Sequence, residues 1–247
     1  MSRSGSTSII KRLQISAPRG RPLDSSQLAG YGVSTDLAHF YAKSGWLERL
    51  ARGTYMLAGD RLDREGCLQF LAERMPGFHV GGKTALAWQG IGHNLPAKET
   101  LTLWGEKNNR LPGWFSERFS CRFTVRQLFS GNLDSEFGLK PLPESPGGPP
   151  VSVPERALLE MLSEVGVDQE IEEARLIMEG ARSLRREVLG ELLQACKQQK
   201  ALRLCVAWAK ELSLPWAAEA RQAAAGRTGP GRWVSRIKGG RTLIVKP

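Results

Sequence analysis

Residues 24–57 read DSSQLAGYGVSTDLAHFYAKSGWLERLARGTYML, and this stretch decides the architecture of the amino-terminal part. Asp24 is followed three residues later by Gln27, the reciprocal pairing of a capping box, which predicts a helix over 25–29 that Gly30 ends in a left-handed turn. Gly32 and Val33 lead to Ser34, a second N-cap residue, and to a helix over 35–44. There Leu37, Phe40 and Tyr41 fall at i, i+3 and i+4, and with Val33 before them they predict one buried stripe. Thr35, Asp36, His39 and Lys43 form the opposite face. Gly45 stops the helix. Trp46 to Ala51, the pair Arg52-Gly53 and Thr54 to Leu57 then read as two strands about a tight turn.

Two short helices separated by a glycine turn and followed at once by a hairpin have the layout of a winged helix-turn-helix. In that geometry the second helix enters the major groove with its N-terminal half nearest the base edges, and the hairpin follows the adjacent backbone or minor groove. Ser34 and Thr35 are then candidates for phosphate or base edges, His39 for a base, and Lys43 for phosphate. Arg49 and Arg52 serve the wing, and Arg19 and Arg21, just ahead of the motif, form a candidate arm on phosphate. Asp36 is repelled by phosphate unless it accepts from a cytosine amino group, and the simpler reading places it at the positive end of its own helix dipole.

Charge distribution supports a polyanionic partner. The 247 residues carry 35 Lys+Arg against 25 Asp+Glu, a net charge of +10. Residues 1–59 contribute +5 and residues 221–247, with seven basic and no acidic side chains, contribute +7, so both ends are basic and the middle is not. Four cysteines without a CxxC pair suggest neither a zinc ribbon nor a disulfide framework. The start, MSRSGSTSIIKRL, has no apolar signal-peptide core, and no run reaches 18 apolar residues. The expectation is a cytoplasmic protein with reduced thiols.

The whole chain reads as α+β. Residues 1–59 are expected to form the DNA-binding domain, with a short basic helix over 6–16 ahead of the capping box, and 60–247 a larger carboxy-terminal region with many helices and a small sheet. Within that region residues 60–150 form an α+β part: an amphipathic helix from Arg64 to Met75 ended by Pro76-Gly77, a helix at about 84–89, and strands over 100–104 and 121–125. The Pro-rich run 141–150 is an exposed connection. Ser152-Val153-Pro154-Glu155 then supplies an S-x-x-E cap for a helical part over 151–226, in which Ala157, Leu158, Met161, Leu162 and Val165 share one face. A basic hairpin closes the chain over 227–247, and Arg232, Arg236, Lys238 and Arg241 make it a possible second DNA contact.

Three segments carry a family resemblance: the hairpin Trp46 to Tyr55, the run Val80-Gly81-Gly82-Lys83-Thr84-Ala85-Leu86-Ala87, and Val153-Pro154-Glu155-Arg156-Ala157-Leu158-Leu159. In this order, over roughly residues 20–165, they resemble AbiEi-type antitoxins, the regulatory halves of bacterial type IV toxin-antitoxin modules. The resemblance implies a winged-helix domain that represses its own promoter at repeated operator sites. It also implies a C-terminal domain that counteracts a co-encoded nucleotidyltransferase-like toxin without needing a stable complex. No enzyme activity, cofactor or metal is expected.

Other signals point elsewhere and are weaker. Gly77 to Thr84 matches G-x-x-x-x-G-K-[ST], the loop whose amides cradle nucleotide phosphates, and taken alone suggests a P-loop nucleotide-binding protein. Such a loop needs an apolar strand before it, whereas an amphipathic helix precedes this one, and bulky Phe78, His79 and Val80 suit a strand entering a tight glycine turn that caps a helix at Thr84. His79 and His93 lack partners at metal-ligand spacing, and three scattered histidines give no Ser/His/Asp set. The run Asp168 to Glu173 reads as a solvated helix face. Trp88, Trp104, Trp114, Trp208 and Trp216 read as anchors of the core or its rim. An RNA-binding adaptor using 227–247 is a third reading.

Overall fold

The structure is a computed structural model that describes residues 3–92, 99–106, 109–228, 233–236 and 242–245. Its elements run α1 (Arg3–Ser16), β1 (Leu23–Asp24), α2 (Ser25–Gly30), α3 (Thr35–Lys43), β2 (Leu47–Ala51), β3 (Thr54–Leu57), α4 (Arg64–Ala72), β4 (His79–Val80), α5 (Gly82–Trp88) and β5 (Leu101–Gly105). They continue with α6 (Gly113–Ser116), β6 (Cys121–Val125), β7 (Leu139–Lys140), β8 (Val151–Ser152), α7 (Pro154–Glu164), α8 (Ile171–Gly180), α9 (Arg186–Ala195), α10 (Gln199–Glu211), α11 (Ala217–Ala223), β9 (Trp233–Arg236) and β10 (Thr242–Val245). Helices and small sheets together make the expected α+β fold. Two compact units divide the chain, the first comprising Met1–Arg74, Arg110–Phe119 and Gly147–Pro149, and the second the remainder. The first thus continues beyond residue 59 through α4.

The first unit is organised by its capping box. The Gln27 amide donates to Asp24 Oδ1 at 2.8 Å and the Asp24 amide donates to Gln27 Oε1 at 3.1 Å, so two otherwise orphaned donors are satisfied where α2 begins. The left-handed turn falls at Gly32, with φ +84°, and not at Gly30. Gly30 stays helical and Tyr31 remains in the αR region, which lets the Val33 amide reach back to the Leu28 carbonyl at 3.0 Å. That bond closes the helix end only if the reversal comes two residues later than expected. Ser34 Oγ accepts from the Leu37 amide at 3.2 Å to start α3.

Gly45 and Gly53 take positive φ, the first ending α3 and the second turning β2 into β3. A register shift between Arg49 and Ala51 bends β2 near the turn. Strand β1 pairs with β3 on its other side, giving the order β1-β3-β2. One core joins Ile10 and Leu13 of α1, Leu28 of α2, Val33 of the turn after it, Ala38 and Tyr41 of α3, and Leu47, Tyr55 and Leu57 of the hairpin. The predicted stripe of α3 is therefore corrected. Ala38 is buried and Leu37 half-buried, while Phe40 is 60% exposed.

Helix α4 opens on Asp63, whose Oδ1 accepts from the Gly66 amide at 2.6 Å, and ends at Ala72, short of the expected Met75. The residues just after it brace the motif: Arg74 Nε donates to Asp24 Oδ2 at 2.8 Å, and the Arg74 guanidinium lies 3.7 Å over the Phe70 ring.

In the second unit a mixed five-stranded sheet has the order β6-β5-β4-β8-β7. Strands β5 and β6 are parallel, as are β4 and β8, and the remaining pairs are antiparallel. Helix α7 packs against α5, α9 and α10. Its residues from Glu155 to Glu164 are all buried, so the face expected from Ala157, Leu158, Met161 and Leu162 is part of a helix enclosed on every side. Its cap also differs from expectation. Val153, which has no polar side-chain atom, is the N-cap, and the Ser152 hydroxyl expected to cap the helix donates to Glu160 Oε2 at 2.8 Å. Glu155 accepts from the Arg185 amide at 2.7 Å and from Arg185 Nη2 at 2.8 Å. Strands β9 and β10 form the expected closing hairpin, with Trp233 opposite Val245.

Burial tends to raise the Asp24 carboxyl, but the Gln27 amide and the Arg74 guanidinium outweigh it and hold the group below its ordinary value. A carboxyl depressed on folding contributes stability above its unfolded pKa, and that contribution is lost as pH falls through the folded value. Asp24→Ala is expected to lower stability by about 1–2 kcal/mol at pH 7. In urea unfolding followed by circular dichroism, the deficit should shrink below about pH 4. A deficit that does not change with pH would assign Asp24 no ionic role.

Candidate nucleic-acid interface

Helix α3 presents an exposed surface, polar except for Phe40, because the core claims only one side of it. Ser34, Thr35, Asp36, His39, Phe40 and Lys43 are exposed, and positions 35, 39 and 43 follow one another at i, i+4 and i+8 on one face. His39 and Lys43 make no hydrogen bond or ion pair with the described residues. Ser34 Oγ accepts the capping bond, which leaves its hydroxyl hydrogen available to donate outward. Asp36 lies in the first turn of the helix, where the dipole favours a carboxylate.

The wing adds two arginines. Arg52 sits in the turn between β2 and β3, exposed and without a partner among the described residues, and Arg49 is exposed with its Nε on the Ala51 carbonyl at 3.3 Å. Arg19 is exposed and donates to the Gln14 carbonyl at 3.0 Å. Arg21 does not join this set. Its guanidinium binds Glu73 at 2.8 Å and Gln69 at 3.1 Å, and its side chain is only 12% exposed, so an intramolecular carboxylate holds the charge expected to meet phosphate.

Two contributions were not legible in the sequence pattern. Arg12 of α1 donates to the Tyr31 carbonyl, where a cation suits the C-terminal end of α2 and braces the turn leading to α3. Phe40 stands on the exposed face, because the phase of α3 against the core is set by Ala38 and Tyr41. In the closing hairpin, Arg232, Lys238 and Arg241 lie outside the described residues, and Arg236 is opposite Thr242 in the strand pairing.

The segment Gly77 to Thr84 is built around an internal anion. The Gly82 amide, at the start of α5, donates to Glu160 Oε2 at 3.0 Å, so a carboxylate of the chain occupies the place a phosphate takes at a helix N-terminus. Gly81 approaches so closely that a Cβ there would lie 2.3 Å from Glu160 Oε2. Lys83 Nζ binds Glu173 at 2.9 Å, and Thr84 Oγ1 accepts from the Thr102 amide at 2.8 Å. The three residues that would hold a nucleotide are thus engaged inside the unit, and Glu173 of the expected solvated acidic run is one of their partners.

His79 completes this cluster, with Nε2 2.9 Å from Glu160 Oε1 and Nδ1 2.7 Å from the Gly77 carbonyl. The imidazole thus bridges the buried carboxylate and the backbone carbonyl. Arg156 Nε donates to Glu160 Oε1 at 3.0 Å. Burial raises the Glu160 carboxyl, but His79, Arg156 and the Gly82 amide overcome this and keep it below its ordinary value. Trp104, stacked beside His79, and Trp114, Trp208 and Trp216 are buried. Trp88 is half-buried and donates to Glu99 at 2.7 Å.

All four cysteines are free thiols. Among the described residues no group of three His, Cys, Asp or Glu side chains is placed to hold a metal ion, and His93 lies outside those residues. Nor is any described helix long and apolar enough to cross a membrane.

Two family models match the chain. A family model described as the N-terminal domain of the AbiEi antitoxin transcriptional regulator matches residues 6–97. A second, described as transcriptional regulator, AbiEi antitoxin, type IV TA system, matches residues 98–245. No curated protein matches the chain. Among solved structures, that of the RV2827C protein from Mycobacterium tuberculosis has a similar fold, with a TM-score of 0.57 at 16% identity over 90% of this chain and 81% of that one. With an exposed helix-turn-helix face and wing at one end and family models spanning nearly its whole length, the chain belongs to the AbiEi antitoxin family, the DNA-binding transcriptional regulators of type IV toxin-antitoxin systems.

Proposed function

We propose that this antitoxin represses its own operon by placing α3 in the major groove of a repeated operator and laying the β2–β3 wing along the adjacent backbone. The observation that carries the reading is the partner-free exposed set His39, Lys43 and Arg52 on α3 and at the tip of the wing. Ser34 and Thr35 bond phosphate or base edges at the start of the helix, His39 reads a base, and Lys43 meets phosphate. Arg49, Arg52 and Arg19 add backbone contacts. The closing hairpin, with Arg232, Arg236, Lys238 and Arg241, is a second backbone contact in this scheme.

Mobility shifts over a salt series with DNA from upstream of the gene test the proposal. Each basic side chain on a phosphate contributes roughly 0.9 to the slope of log K against log salt. Arg52→Ala is expected to reduce the slope by about that amount and to weaken all sequences alike. His39→Ala should instead narrow the gap between operator and non-operator DNA, by about 1–3 kcal/mol for the base pair it reads. Unchanged slope and unchanged preference would remove these residues from the interface.

The second part of the proposal is that residues beyond the winged helix counteract a co-encoded nucleotidyltransferase-like toxin without requiring a stable complex. Growth arrest on toxin induction should be relieved by the full chain. It should also be relieved by the double variant Lys43→Ala/Arg52→Ala, because the two activities use different residues. Loss of protection in that folded variant would tie neutralisation to DNA contact.

A nucleotide-binding alternative has against it the Glu160 carboxylate at the start of α5 and the engagement of Lys83 by Glu173. Titration with ATP or GTP is expected to show no saturable binding, with Lys83→Ala indistinguishable from wild type. Saturable binding abolished by that substitution would reverse the assignment. Competition between duplex DNA and structured RNA separates the RNA-adaptor reading, which predicts preference for RNA.

A further inference from the structure

We propose that Phe40 reads the C5-methyl group of a thymine in the major groove, making it a specificity-determining residue of this interface. The inference rests on the DNA-binding reading above and adds the kind of base step that the protein selects.

Phe40 is 60% exposed, whereas its neighbour Tyr41, whose ring centroid lies 6.0 Å away, is 2% exposed. The core is complete without Phe40, since Val33, Ala38 and Tyr41 fill the side of α3 that faces the hairpin and α2, with Leu37 packed at the edge. Single exposed apolar side chains are ordinary on protein surfaces. Phe40 is set apart by its place: it follows His39 and precedes Lys43 by three positions, among side chains that have no partner of their own in the described structure.

Its position along the helix also matters. Side chains on an α-helix lean toward the N-terminus, so the ring covers the surface over the turn of Asp36, four residues earlier. That is the end of the helix that enters the groove. There an aromatic ring has no hydrogen bond to offer a base edge, and the apolar feature that the major groove presents is the thymine methyl. Phe40 therefore selects a thymine on the strand lying under the first two turns of α3.

The test uses the full chain and a duplex selected by it from a random pool. Each thymine of the selected site is replaced singly by deoxyuridine, which removes the methyl and preserves pairing, and binding is followed by fluorescence anisotropy. Burying one methyl-sized group corresponds to about fourfold in affinity. Wild type is expected to lose about that much at one or two thymines. Phe40→Ala, folded by circular dichroism, should bind thymine and deoxyuridine duplexes equally, and Phe40→Leu should keep part of the preference.

Two results would overturn the assignment: no deoxyuridine sensitivity in the wild type at any position, or the same sensitivity at the same position in Phe40→Ala. If the wild type selects no duplex at all, the DNA-binding reading itself falls. A selected duplex without methyl dependence removes Phe40 alone.

Discussion

The Glu160 carboxylate is the constraint around which the second unit is assembled. It is fully enclosed, and burying an unpaired carboxylate is prohibitively costly. Its partners are the imidazole of His79, the guanidinium of Arg156, the hydroxyl of Ser152 and the amide of Gly82. These come from β4, α7, β8 and the first turn of α5. Satisfying one charge therefore fixes how two strands and two helices meet, and removing any single donor leaves the others around a poorly compensated anion. Gly81 is required for the same reason, because the carboxylate and Trp104 occupy the space a side chain would need.

Two of the three segments that resemble AbiEi-type antitoxins meet at this carboxylate. Val80 to Ala87 holds the glycine pair that approaches Glu160, and Val153 to Leu159 holds Arg156, its ion-pair partner. Both surround the same buried group. The GGKT string is thus a packing signature in this chain. The helix start that could have bound a phosphate binds the Glu160 carboxylate of α7 instead.

In the first unit the division between structure and function follows the phase of α3. Every side chain that the shared core takes is withdrawn from the outer face, and each one it leaves stays exposed to solvent. Asp24 and Arg74 fix the start of α2, and Arg12 steadies the turn at its end. The exposed side of α3 can then be lined with polar groups that contribute nothing to packing, and Arg21 is removed from that surface by Glu73.

Short-range chemistry was readable from the sequence by itself. The Asp24–Gln27 box, the Ser34 cap, the glycine turns at Gly45 and Gly53, the wing and the closing hairpin each depend on residues within a few positions of one another. So does the α+β pattern. Tertiary structure alone decided what depends on distant partners. Leu37, Phe40 and Tyr41 fit a helical stripe as well as Leu37, Ala38 and Tyr41 do, and only the hairpin and α2 packed against α3 select the second set. Ser152 has the spacing of a cap, yet Glu160 recruits its hydroxyl. Arg21 looks like a phosphate arm until Glu73, 52 residues away in the chain, reaches it. His79 and Glu160 lie 81 positions apart, and no local pattern encodes their pairing, because it arises only when folding excludes water from both.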